Sequence, residues 1–115
     1  MIQIYHNPRC RKSREALAIL QGQNQPFEII EYLKKSPSKD ELRSVIEKLG
    51  IKPLDLIRKG ETIYKEKYKG QELSDNEWVE VMVENPILIE RPIVVKGTKA
   101  AVGRPPENVL DLIKN

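Results

Sequence analysis

The stretch from Ile2 to Tyr32 leaves this chain few ways to fold. "IQIY" alternates apolar and polar residues and stops at Asn7-Pro8, the pattern of a short strand running into a turn. From Ser13 to Gln21 the residues Ala16, Leu17, Ile19 and Leu20 line one broad helical face, and Gly22 with "NQP" ends it. "FEIIEY" then resumes as a strand. Strand, helix and strand in one short run form a βαβ unit, whose two strands are parallel and joined by a right-handed crossover.

The middle of the chain changes character. "SKDE" and "SDNE" each place Ser three residues before Glu, at Ser38/Glu41 and Ser74/Glu77, a capping signature ahead of apolar residues at helical spacing. The first helix carries Leu42, Val45, Ile46 and Leu49 and closes at Gly50; the second carries Trp78, Val81 and Met82, with Trp78 expected in the core. Between them, "KPLDLIRKGETIYKEKY" predicts short helical turns, with Pro53 at a helix start and Gly60 as a break. "RPIVV" and "AAV" then read as a hairpin around "KGTK". A last helix follows, with Pro106 in its first turn, Glu107 at its positive end, and Val109, Leu110, Leu112 and Ile113 as the buried face. No linker or repeat interrupts the 115 residues, so they are expected to form a single domain, with residues of about 36–88 as a helical insertion packed on the same sheet.

Composition narrows the function. Twenty Lys and Arg against 17 acids give a formal charge of +3 with no basic tail, and aromatic residues are only 5%, so a nucleic-acid partner is not expected. No run approaches the roughly 18 apolar residues of a membrane span, and "MIQIYHN" lacks the charged start and apolar stretch of a signal peptide. A cytoplasmic protein without a membrane partner is the expectation. A single cysteine makes neither an internal disulfide nor a thiolate zinc site, leaving an inert buried thiol or a reactive one.

That cysteine, Cys10, lies in "HNPRCRKSR" among Arg9, Arg11, Lys12 and Arg14, in the loop that carries the first strand into the first helix. Free amides at a helix start, the helix dipole and nearby cations all favour thiolate over thiol. Spacing excludes two chemistries. A Cys-x-x-Cys oxidoreductase needs a thiol at position 13, where Ser13 stands, and a Cys-x5-Arg phosphate loop needs arginine at position 16, where Ala16 stands. An attacking thiolate here has no second thiol of its own, so redox turnover must borrow one from outside. His6 either supports the thiolate as a cation or ends the strand in a satisfied hydrogen bond. Arg11 and Lys12 are either pocket residues or solvated side chains of the helix start, and Ser13 either donates to the sulfur or caps the helix.

At "YHNPRCRKSREAL", "LIRKGE", "NPILIERPIVV" and "AVGRPPE", in this order from Met1 to about Leu112, the chain resembles the glutaredoxin-linked arsenate reductases of the ArsC family. The resemblance implies a thioredoxin-like α/β fold: a mixed four-stranded sheet in the order βαβ, helices, ββα, with the helical insertion. It further implies an enzyme that reduces arsenate to arsenite through a nucleophilic Cys10 thiolate and a cysteine–arsenic adduct. Arsenate or a similar oxyanion is then the substrate, glutathione the co-substrate and glutaredoxin the resolving partner, with no bound cofactor and no metal. Carried over by motif, His6, Ser13 and Arg14 support the thiolate, Arg58, Arg91 and Arg104 bind the oxyanion, and Pro92 occupies the loop where thioredoxin-like folds place a cis proline. Guanidinium groups suit that role because they make bidentate contacts and keep their charge.

Where the best-known members read Cys-Gly-Thr-Ser, this chain reads Cys-Arg-Lys-Ser at 10–13, and the two long cations either tighten anion binding or crowd the pocket. Crowding would favour a glutathione-dependent thiol oxidoreductase acting on another substrate. A regulator like the Spx proteins, which share this fold and bind RNA polymerase, is disfavoured by Ser13, in place of a second switch cysteine, and by Arg104.

Overall fold

The computed structural model describes residues 2–114. The chain forms two compact units, Met1–Lys35 with Arg91–Asn115, and Ser36–Glu90. In the first, β1 (Ile2–Tyr5), α1 (Arg11–Gln21) and β2 (Phe27–Ile30) make the βαβ unit, with β1 and β2 parallel. β3 (Ile93–Lys96) pairs antiparallel with β1, and β4 (Lys99–Val102) antiparallel with β3, giving the sheet order β2-β1-β3-β4. The helix α4 (Asn108–Lys114) closes the chain. This is the mixed four-stranded sheet of a thioredoxin-like fold. Ile2 and Ile4 of β1, Val94 of β3, Ala16 and Leu20 of α1, and Val109, Leu112 and Ile113 of α4 bury one another as the core. The alternation in "IQIY" therefore works as expected, since residues two apart share a face of the sheet.

Several boundaries differ from the sequence reading; β2, for one, ends at Ile30, short of the expected Tyr32. α1 begins at Arg11 rather than Ser13, because its first turn carries no apolar residue for periodicity to register. The hairpin loop is only Gly97-Thr98, with Lys96 and Lys99 inside the strands; Gly97 takes φ 61, as the first position of a tight hairpin turn requires. Pro106 lies ahead of α4, in a turn closed by the Val109 N–H on the Pro106 carbonyl at 3.1 Å.

The second unit holds α2 (Lys39–Leu49), a 3₁₀ turn at Pro53–Leu56, a π-helical turn at Tyr64–Tyr68, α3 (Asp75–Glu84) and a 3₁₀ turn at Pro86–Leu88. Both serines cap as expected: Ser38 accepts from the Glu41 N–H, and Ser74 with Glu77 forms a complete capping box. Leu42, Val45, Ile46, Leu56, Trp78, Val79 and Met82 are buried, and Tyr64 and Tyr68 each pack on Trp78 with ring centroids 6.3 Å apart. Among the described residues, no helix is long and apolar enough to cross a membrane.

Candidate active site

Cys10 owes its position to the turn that ends β1. Asn7 starts it: its side-chain Oδ1 accepts the Arg9 N–H at 3.0 Å, and its carbonyl accepts the Cys10 N–H at 3.0 Å. This Asx turn reverses the chain so that Cys10, in extended conformation, becomes the residue that opens α1. The sulfur therefore meets amide groups that have no partner within the helix.

Burial of Cys10 is the largest single influence on its thiol and pushes the pKa up. The Ser13 amide, the hydrogen bond and charge of Arg91, and the Lys12 amide act in the opposite direction and together outweigh it, holding the thiol below its ordinary pKa. Arg104 adds a contact from its Nη2 to Sγ at 3.7 Å. Two arginines more than 80 residues along the chain thus converge on the sulfur, whereas the cations beside it in sequence do not. Arg11 forms a solvent-exposed pair with Glu15 at 3.0 Å, and Lys12 is exposed. Arg14, expected to support the thiolate, instead donates from Nη1 to the Pro8 carbonyl at 2.9 Å.

His6 and Ser13 are both buried, and His6 Nδ1 lies 2.6 Å from Ser13 Oγ. Burial is the main cause that lowers the His6 pKa; Glu31 works against it and Arg14 with it, so the imidazole is held neutral to lower pH than a free histidine. Of the two alternatives for His6, the geometry realises the hydrogen bond. Ser13 Oγ also accepts the Asn7 N–H at 3.0 Å, so the hydroxyl binds the turn together, while the residue's backbone N–H serves the sulfur. Neither alternative expected for the Ser13 side chain, donation to sulfur or capping of the helix, describes it.

The Arg91–Pro92 peptide is cis, and so is Arg104–Pro105, which sequence reasoning missed. Gly103 was also missed, and it is where the two arginine loops touch. Its N–H donates to the Pro92 carbonyl at 2.8 Å, and a Cβ placed on it would come 2.8 Å from Pro92 Cγ and 3.3 Å from Val109 Cγ2. Arg104 Nε in turn donates to the Arg91 carbonyl at 2.8 Å, so the two guanidinium-bearing loops are tied backbone to side chain. Arg91 Nε and Nη1 are shielded from solvent and have no hydrogen-bond partner. Buried donors without acceptors are costly, and a bound anion would satisfy them.

Arg58 belongs to the second unit. Its Nε faces Glu61 at 3.5 Å and Glu90 at 3.7 Å, and its Nη1 is buried without a hydrogen-bond partner. Among the described residues, no group of three or more His, Cys, Asp or Glu is placed to hold a metal ion.

A thioredoxin-like sheet with a cysteine at the N-cap of its first helix and two arginines at the sulfur defines a thioredoxin-like thiol protein. The ArsC family model matches residues 5–112, and the chain belongs to the ArsC family. It is 46% identical over 114 residues to an arsenate reductase of Haemophilus influenzae, covering 96% of this chain and 97% of that one. It is 42% identical over 114 residues to the uncharacterized protein YfgD of Escherichia coli K12, covering 97% and 96%. The solved structure of an arsenate reductase from Vibrio cholerae superposes with a TM-score of 0.91 at 46% identity, over 96% of this chain and 95% of that one.

Proposed function

We propose that this protein reduces arsenate to arsenite, with Cys10 as nucleophile and with glutathione and glutaredoxin as the reductants. The observation that carries the reading is the pairing of a thiol held below its ordinary pKa with Arg91, whose Nε and Nη1 are buried donors without acceptors. A tetrahedral oxyanion supplies those acceptors beside the sulfur. Relatives of 46% identity that carry the name arsenate reductase support arsenate as that oxyanion.

The Cys10 thiolate attacks arsenic, an arsenate oxygen takes up protons and leaves as water, and a sulfur–arsenic bond forms. Arg91 and Arg104 stabilise the oxyanion and the charge that gathers on its oxygens, from positions already set before substrate arrives. With no second thiol in the chain, the electrons come from outside. A glutathione thiolate attacks the adduct, the sulfur–arsenic bond breaks with its electron pair retained on arsenic, arsenite departs, and Cys10 is left in a mixed disulfide with glutathione. Glutaredoxin takes the glutathione and frees the thiolate. This chemistry fits the cytoplasm, where glutathione keeps thiols reduced. The alternative of another substrate rested on Arg11 and Lys12 crowding the pocket, and both side chains are exposed.

A coupled assay with arsenate, glutathione, glutaredoxin and NADPH tests the proposal. The wild type is expected to oxidise NADPH only when arsenate is present, and Cys10→Ser to be inactive. Absence of turnover by the wild type at saturating arsenate would sink the arsenate assignment.

A further inference from the structure

A cleft flanks the cysteine loop. It has a volume of about 430 Å³ and is lined by His6, Asn7, Pro8 and Arg9 of that loop and by Glu31, Leu33 and Lys34 from the segment after β2. It opens at the carboxyl ends of the parallel strands β1 and β2, a usual place for ligands in sheets of this kind. We infer that this cleft is the seat of glutathione as it attacks the Cys10 adduct, a proposal that rests on the arsenate reading above.

Charge is the first argument. Glutathione carries two carboxylates and one ammonium, and the cleft offers two cations, Arg9 and Lys34, and one anion, Glu31. Lys34 lies 3.5 Å from Glu31 with its side chain 79% exposed, a solvent-screened pair that exchanges partners at little cost. Pro8 and Leu33, the latter 43% exposed, supply apolar cover for the methylene groups. A tripeptide reaches about 10 Å when extended, enough to anchor at both ends while its central thiol lies along the Asn7–Arg9 loop toward Cys10.

Direction is the second. The incoming thiolate forms a bond to Cys10 Sγ as the sulfur–arsenic bond breaks, and its lone pair must enter from behind the breaking bond. The electron pair of that bond leaves with arsenic, which is thereby reduced, and a sulfur–sulfur bond takes its place. In the order β2-β1-β3-β4, the cysteine loop follows the strand between β2 and β3. Arg91 and Arg104 lie at the outer ends of the β3-β4 hairpin, and the cleft is built from the segment after β2. The arginines and the cleft therefore lie on the two sides of β1, flanking the loop that carries Cys10.

Two measurements decide this. S-methylglutathione, which cannot form a disulfide, should shift the amide NMR signals of Asn7, Arg9, Leu33 and Lys34 when titrated into isotope-labelled protein; shifts confined to other surfaces overturn the assignment. In the coupled assay, Arg9→Ala and Lys34→Ala should each raise the KM for glutathione by up to about fivefold, and the double variant by more. The KM for arsenate, and the rate with uncharged 2-mercaptoethanol as reductant, should stay as in the wild type. An unchanged glutathione KM in the double variant also overturns it. Should the wild type fail to reduce arsenate, the substrate reading falls, and the titration still decides the cleft by itself.

Discussion

Two sets of cations compete for the role of partner to Cys10, and the one closer in sequence loses. Arg9, Arg11, Lys12 and Arg14 surround the cysteine along the chain, yet of these residues only Lys12 contributes to the lowered thiol pKa, and it does so through its backbone amide. Arg91 and Arg104 arrive from the far end of the sequence and reach the sulfur. Long side chains at a helix start point into water, where solvent screens them, whereas Arg91, half-buried with its Nε and Nη1 shielded from solvent, acts at short range where screening is weaker. A basic run around a cysteine is thus a poor guide to which charges tune it.

Arg91→Ala tests the comparison most severely. It removes both the hydrogen bond and the charge at the sulfur, so the thiol should titrate at higher pH, and kcat/KM should fall by about 10²-fold or more at neutral pH. The pH dependence of alkylation by iodoacetamide reports the first effect and the coupled assay the second; an unaltered titration would hand the role back to the local cations. Gly103→Ala comes next. Its Cβ would meet Pro92 Cγ at 2.8 Å, so it should cost about 1–3 kcal/mol in chemical denaturation and, by displacing the loops of both arginines, also raise the thiol pKa. Loss of stability with an unchanged thiol would mean that the arginines are not held through this contact. Arg11→Ala should do least: with its side chain 85% exposed and paired only with Glu15, stability should change by less than about 0.5 kcal/mol and the thiol titration not at all.

Much of the molecule was legible before any coordinates. The βαβ start, the capped helices at Ser38 and Ser74, the hairpin and the final helix all follow from period, caps and turn residues, which act over a few positions. Helix boundaries slipped where the first turn was polar, as at Arg11, or where a proline preceded the helix by a turn, as at Pro106. The site was legible in halves. Cys10 at a helix start came from the local pattern, and Arg91, Arg104 and the cis bond at Pro92 came through resemblance to a family, because no local signal separates them from other surface arginines or ordinary prolines. Ser13 and Gly103 were misjudged or missed, since what each does depends on a neighbour brought by the fold: His6 and Asn7 for one, Pro92 for the other.

The sequence alone determined that a lone thiol would stand at the mouth of a helix after a parallel strand, with no internal thiol to resolve it. Those are consequences of composition and of interactions within a few residues. Only the tertiary structure decided which charges face that thiol, that burial beside Ser13 lowers the His6 pKa, and that a cleft of mixed charge lies beside the cysteine loop. Electrostatic effects depend on distance and burial in space, and these arise only when segments distant in the chain pack together.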